Sequence, residues 1–406
     1  MGFLNTFQYK KTGDDAIDKA FASVSQQFQR IASMKSPPFI NVKDYGAKGY
    51  PADDTAAIQD AFDVGGQVYF PEPNYKISEP MVLSPGLHIL GNSHIGTIFT
   101  IDHSVKAHAP AFIWDTTADL YNWSIKNVKI DFSACGQPSN HAEDIGIKLA
   151  ASGTGKTTYL YEISDIRIGN AYWAFWDESA GFHGKLDRFW SNMSRNGIHK
   201  KNGTQMVLEN VEIGGRKDGT DGCAYYFENI SGLTMSVCVA ETWKNNDMAY
   251  FKDLREFNAT TLHFEDASTL TAGAGDKRLI ILDHCNGANI KGLLFWACDV
   301  VPYNNANAEL VYVLHGRGNI DGVQIEGAGA SNKCSGGNAG SHVHTVAFND
   351  SAKWAISGCD LKELESSGGY PGTKHALKNY SDTSYIVVIA SDIESTSDDY
   401  AQIKVV

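Results

Sequence analysis

Several features are missing from this sequence, and each absence narrows its function. No stretch of about 18 apolar residues occurs, so no transmembrane helix is expected. The N-terminal MGFLNTFQYKKTGDD holds no apolar run of signal-peptide length. Basic residues are in deficit: 34 Lys and Arg stand against 47 Asp and Glu, a formal net charge of −13. That argues against nucleic acid, whose binding rests on Lys and Arg neutralising phosphates, and against an anionic membrane surface. It leaves room for an acidic polysaccharide held by local basic patches such as Lys200-Lys201 or Arg216-Lys217. Proline is scarce, 11 residues against 39 glycines, which suits many turns. The 7 cysteines stand singly, without CxxC, and their number is odd. They read as small buried fillers in a chain folded under reducing conditions. GxSxG, HExxH and Walker A motifs are absent.

What is present points to β structure. Hydrophobic residues make up 43% of the 406, ample for a core, and the length fits two or three domains or one elongated β unit. Residues 1–16 are polar and irregular. Ile17, Phe21, Val24, Phe28 and Ile31 then follow a heptad seam, read as a coiled-coil neck or an amphipathic helix packed on its own body. Pro37-Pro38 ends that helix. Beyond residue 95 a loose repeat appears, as in WSIKNVKIDF (123–132), YEISDIRIGN (161–170), MVLENVEIGG (206–215) and GNIDGVQIEG (318–327). Each is a short strand, a bend at Asn, Asp or Gly, and a second short strand. The bends fall at Asp165, Asp187 and Asn210, and later at Gly292, Gly322 and Gly358. A fixed unit with insertions of variable length marks a solenoid. The fold class expected is all-β, a parallel β-helix with three strands per turn.

An open solenoid end must be covered. The stretch ADDTAAIQDAF suits that purpose: Asp53 or Asp54 can cap a helix whose apolar face is Ala57, Ile58, Ala61 and Phe62. The longer segment VKDYGAKGYPADDTAAIQDAFDVGGQVYFPEPNYKIS resembles the opening segment of pectate-lyase-like right-handed β-helix proteins, bacteriophage tailspikes above all. Asp44, Gly46, Ala47, Gly49, Asp53, Asp54, Thr55, Ala57 and Ile58 match that pattern, whereas Tyr50-Pro51 and Glu72-Pro73-Asn74 depart from it. The resemblance implies a right-handed β-helix and a homotrimer that cleaves a bacterial surface polysaccharide. It also implies a place in the virion tail, attached to another tail protein through the N-terminus. The domains expected are an attachment peptide (1–16), a helical neck (17–35), a capping helix with first strands (36–95) and a β-helix body (96–406). The final AQIKVV still reads as strand, so the separate trimerisation domain that many relatives carry is expected either to be dispensed with or to have been trimmed from this chain.

Three constellations could carry chemistry. YFENISGLTMSVCVAE (226–241) and YFKDLREFNATTLHFE (250–265) align at an offset of 24, which stacks Glu241 on Glu265 in one outward column. Two carboxylates about 5 Å apart suit a retaining glycosidase, and their like charge raises one pKa; two solvated surface glutamates are the plainer reading. Trp243, His263, Trp296 and Glu326 are expected to line the same groove. The second constellation is GGRKDGTDGC, with Asp218 and Asp221 as reserve carboxylates and Arg216 as a contact to an acidic sugar, or else a Gly-rich turn. Its DxxD is only a weak calcium signal, and no metal or cofactor is expected. The third is residues 170–190, where Trp173, Trp176, His183, Trp190 and Asp177-Glu178 crowd together, as an insertion with its own core or as a groove wall.

Arg-x-Pro, NTD and GHG, signatures of pectate lyases and polygalacturonases, are absent. Glycoside hydrolysis by Glu241 and Glu265 is therefore the leading expectation. A lyase would use His263 or Tyr225 as base, with Arg216 or Lys217 neutralising a uronic carboxylate. A receptor-binding fibre without catalysis is the third reading.

Overall fold

The structure is a computed structural model. It describes residues 39–405 except 104–106, 115–117, 137–139, 150–154, 217–221, 245–246, 270–275, 303–305, 325, 328–329, 332, 335–338, 340, 362–363, 367–369, 390 and 399–402. The attachment peptide and the helical neck expected from sequence lie outside the described residues, as do Lys217, Asp218 and Asp221.

The chain winds into a parallel β-helix. Each turn lays down strands on three faces, and each strand pairs in parallel with its counterparts one turn before and after. On the first face Phe175 sits between Ile147 and Ile198. On the second, Ile163 sits between Ile125 and Leu186, and on the third Ile168 sits between Ile130 and Ser191. Alternation decides what is buried: inward residues such as Ile130, Ile168, Ile213, Phe264 and Phe295 form one continuous core. All seven cysteines are free thiols, five of them buried. The crowded 170–190 segment is no insertion. Its strands Trp173–Asp177 and Phe182–Asn192 hold regular places in the ladder, which sends Trp176 to the first face and Trp190 to the third. Asp177 turns inward and pairs with buried Lys200 at 2.9 Å.

Corners between faces are made by residues in the left-handed region. The column between the second and third faces is Asn127, Asp165, Arg188, Asn210, Val237, Thr261, Gly292, Gly322 and Gly358, with φ between 47° and 68° except where glycine reaches 71°. Sequence reading placed the bend that follows Asp165 at Asp187. It falls one residue later, because Asp187 is still paired in the ladder with Ser164. Arg188 takes the corner and donates to both oxygens of Asp165, at 2.6 and 2.8 Å.

The helix Thr55–Val64 packs against the first turns. Ile58, Ala61 and Phe62 are buried, and the Phe62 ring meets Phe70 and Phe112. Asp53 accepts from the Thr55 amide at 3.1 Å and the Thr55 hydroxyl at 2.6 Å. Asp54 instead turns back and accepts from the amides of Lys48 and Gly49, at 2.7 and 2.9 Å. The two aspartates thus split the work: one opens the helix, the other fixes the loop before it.

Candidate active site

The third face is narrow, with two outward positions per turn. Its outer column runs Asp131, Gly169, Asn192, Gly214, Glu241, Glu265 and Trp296, each the registered neighbour of the next. The column two residues earlier runs Lys129, Arg167, Trp190, Glu212, Val239, His263 and Leu294. The offset of 24 does pair Glu241 with Glu265, so their backbones lie one strand spacing apart, about 4.8 Å.

A cleft of about 250 Å³ opens at the middle of this face, lined by His94, Arg167, Trp190, Asn192, Glu212 and Glu241 among others. Gly214 forms its floor. A side chain there would come within 3.7 Å of Glu241 Oε1 and 3.8 Å of Asn192 Oδ1, so the missing Cβ keeps the space between them open. The Trp190 ring forms one wall and meets the His94 imidazole, centroids 4.6 Å apart. Arg167 makes no ion pair among the described residues and offers its charge to the cleft.

The two cleft carboxylates have different surroundings. Glu212 is exposed, and Glu241 is half-buried. Burial raises the Glu241 carboxyl above its ordinary range, and the charges of Glu212, Glu265 and Asp266 raise it further. Glu212 pairs with Val239 and Gly214 with Glu241, so Glu212 and Glu241 are diagonal neighbours, about 7–8 Å apart at the backbone. Glu265 adjoins Glu241 on the other side, with His263 Nε2 3.8 Å from its carboxylate. The His263 ring lies parallel to the half-buried Trp296 ring at 6.5 Å.

Other expected site residues fall elsewhere. Trp243 is fully buried, and its indole N–H donates to the Ile213 carbonyl at 3.0 Å. The cause is Thr242, whose φ of 59° turns the corner and breaks the alternation that would have kept 241 and 243 on one face. Tyr225, the alternative base, is also in the core, donating to the Val239 carbonyl at 2.6 Å. Glu326 leaves the column. The third-face register with Leu294 ends at Gln324, and Glu326 pairs antiparallel with Ser331 in a small ribbon. Arg216 lies one residue beyond Gly215 at the corner, outside the cleft lining.

Sequence reading missed Glu212, Asn192, Arg167 and His94. For Glu212 a signal existed: once Gly214 is placed in the outward column, Glu212 two residues earlier must face outward too. His94 gave none, because it comes from a loop after the strand Leu87–Leu90.

These features define a parallel β-helix protein with an acidic cleft on one face. The model of the pectate-lyase-like rhamnogalacturonase A/epimerase family matches residues 39–170. Among solved structures, DFA-IIIase from Arthrobacter chlorophenolicus A6 in complex with GF2 is similar at a TM-score of 0.51 and 12% identity, over 91% of this chain and 98% of that one. The A-module of a mannuronan C-5 epimerase from Azotobacter vinelandii gives 0.46 and 14%, over 91% and 97%. Tailspike protein 3 of bacteriophage CBA120 gives 0.47 and 10%, over 90% and 59%. At such identities the likeness is one of fold. Comparison with curated protein sequences gives no match.

Proposed function

We propose that this protein is a bacteriophage tailspike depolymerase that binds a bacterial surface polysaccharide and hydrolyses its glycosidic bonds. The observation that carries this reading is the third-face cleft, where a half-buried carboxyl with raised pKa faces an exposed carboxylate beside an aromatic wall. The family match over residues 39–170 and the resemblance of the opening segment support a carbohydrate-directed β-helix.

In this reading Glu241, whose carboxyl burial and neighbouring charges make harder to ionise, delivers its proton to the leaving oxygen. Glu212, exposed to solvent, takes a proton from the water that attacks the anomeric carbon from the opposite side. Diagonal placement sets the two backbones further apart than direct neighbours, which favours inversion, where the carboxyl groups stand about 6.5–9.5 Å apart with water between them. Trp190 offers its face to a pyranose ring. Glu265, the partner named from sequence, stands nearer Glu241, at the spacing of a retaining enzyme, but is outside the cleft lining.

The test is a screen of the purified protein against capsular, exopolysaccharide and O-antigen glycans, with product mass and anomeric configuration read out. Glu241→Gln and Glu212→Gln should each lower turnover by at least about 10²-fold and leave binding intact. Retained configuration together with an inactive Glu265→Gln would assign the nucleophile to Glu265 instead. Products with ultraviolet absorbance of an unsaturated sugar would replace hydrolysis by elimination, with Arg167 as the cation facing a uronic carboxylate. Binding without cleavage across the whole panel would make the protein a receptor-binding fibre.

A further inference from the structure

A second group of reactive side chains gathers at the corner after the third face, near the start of the solenoid. His103 and His108 follow the strand Ile98–Ile101. Cys135 ends the short turn Ser133–Cys135, and Asp144 precedes the strand Ile145–Leu149. One ligand atom each from His108, Cys135 and Asp144 lie within 4.8 Å of one another. His108 Nδ1 is 2.9 Å from one Asp144 oxygen, and His103 Nδ1 is 3.8 Å from the other.

Burial makes this grouping informative. Asp144 and His103 are both fully buried. Neither ring nitrogen of His103 has a hydrogen-bond partner among the described residues. A buried imidazole with both nitrogens unsatisfied is costly, and a cation beside it removes that cost for the nitrogen that ligates. His108 is 24% exposed, which gives the cluster a way in from solvent. The His141 ring lies flat against His108, centroids 3.3 Å apart, and steadies its orientation.

We propose that His108, Cys135 and Asp144 bind one divalent transition-metal ion, with Zn²⁺ the best match, and that the unsatisfied His103, 3.8 Å from Asp144, turns in as the fourth ligand. A thiolate, two imidazoles and a carboxylate are a tetrahedral set whose soft members exclude Ca²⁺ and Mg²⁺. Bond lengths of about 2.0–2.3 Å need ligand atoms roughly 3.5 Å apart, a contraction from the spacing of up to 4.8 Å among His108, Cys135 and Asp144. Binding forms the metal–sulfur bond and releases the Cys135 thiol proton to solvent, with no change of oxidation state. The ion would join segments from successive turns, as a cross-link does. No motif in the sequence announces it, because its four donors are contributed by three separate corner segments.

The test uses the full chain, stripped of metal and titrated with Zn²⁺ against a chromophoric chelator, and in parallel with Co²⁺. One equivalent should bind, and the Co²⁺ form should show tetrahedral visible bands with thiolate-to-metal charge transfer. Cys135→Ser should remove that charge transfer and weaken Zn²⁺ by more than the roughly 10–100-fold lost with an outer-shell partner. His315→Ala is the control, because Asp283, His284 and His315 form another ligand-like group; binding should survive it. Alkylation of Cys135 in the unmutated chain, read by peptide mass, should be suppressed by Zn²⁺, which tests the site even if a variant fails to fold. Absence of stoichiometric binding, a Co²⁺ spectrum without thiolate character, unprotected Cys135, or loss of binding in His315→Ala would each overturn the proposal.

Discussion

In the proposed mechanism Glu241 donates a proton only while it holds one, so its surroundings would set the alkaline edge of activity. Its carboxyl is raised by burial first and by the charges of Glu212, Glu265 and Asp266 after that. A raised pKa extends the protonated form to higher pH, and turnover falls as pH rises through it. Glu265→Gln removes one of those like charges and lowers the Glu241 pKa. The alkaline limb of the kcat profile should therefore move to lower pH while activity persists; an inactive Glu265→Gln would reverse the assignment of roles. Glu309 offers a separate test on the first face. It is fully buried, with Tyr380 donating to it at 3.1 Å, and burial pushes its carboxyl up to about 8. The unfolded chain holds the same group near its ordinary 4.5. Between these values unfolding releases a proton, so this group's stabilisation is full below the lower value and fades as pH rises through the higher one. Glu309→Gln does not titrate. Its Tm, relative to the unmutated chain, should rise from pH 5 to pH 9 in thermal melts; a constant difference would show that Glu309 does not titrate in this range.

At the scale of the element, the corners hold the most strain. Val237 is β-branched and exposed, yet sits at φ 51° in a column where, Arg188 and Thr261 apart, the other residues are Asn, Asp and Gly. Left-handed backbone costs a non-glycine residue about 1–2 kcal/mol, and less for Asn, which bonds locally. Val237→Asn should stabilise the chain by about 1 kcal/mol, seen as a higher midpoint in denaturant or heat; an unchanged or lower midpoint would mean that the Val237 side chain has packing that offsets the strain. The same corners explain how far the elements were legible. Strand–bend–strand units were readable because alternation and small bend residues recur. The exact bend was not, since Arg188 has no propensity that marks it. Trp243 was misplaced for a related reason: one positive φ at Thr242 sends the next residue inward.

Across the whole molecule, the solenoid explains why so much of the site sits on one face. Each turn repeats the previous one, so residues at a constant offset stack into columns, and a column of carboxylates and rings becomes a groove. The homotrimer that the resemblance of the opening segment implies is tested at this scale. The full chain should elute with three times its 44.3 kDa mass in light-scattering chromatography, and a chain lacking residues 1–38 should keep its β circular dichroism but lose trimeric mass. A monomeric full chain would overturn that expectation. Truncated chain that stays trimeric would place the contact on the solenoid itself, and not in the segment with the heptad seam.

The sequence by itself determined the class of fold, the capping helix and the pairing of Glu241 with Glu265. These rest on local periodicity, on backbone capping and on a constant offset between adjacent turns, all of which are written along the chain. Only the tertiary structure decided which carboxylates share a cleft. His94 reaches the site from a loop, Arg167 and Trp190 from other turns, and Gly214 matters for the side chain it lacks. Insertions of unequal length separate such neighbours in sequence, and the sign of φ at each corner decides which way the following residues face. Both are settled when the turns stack, because stacking brings each turn's corner and outward side chains against those of the next.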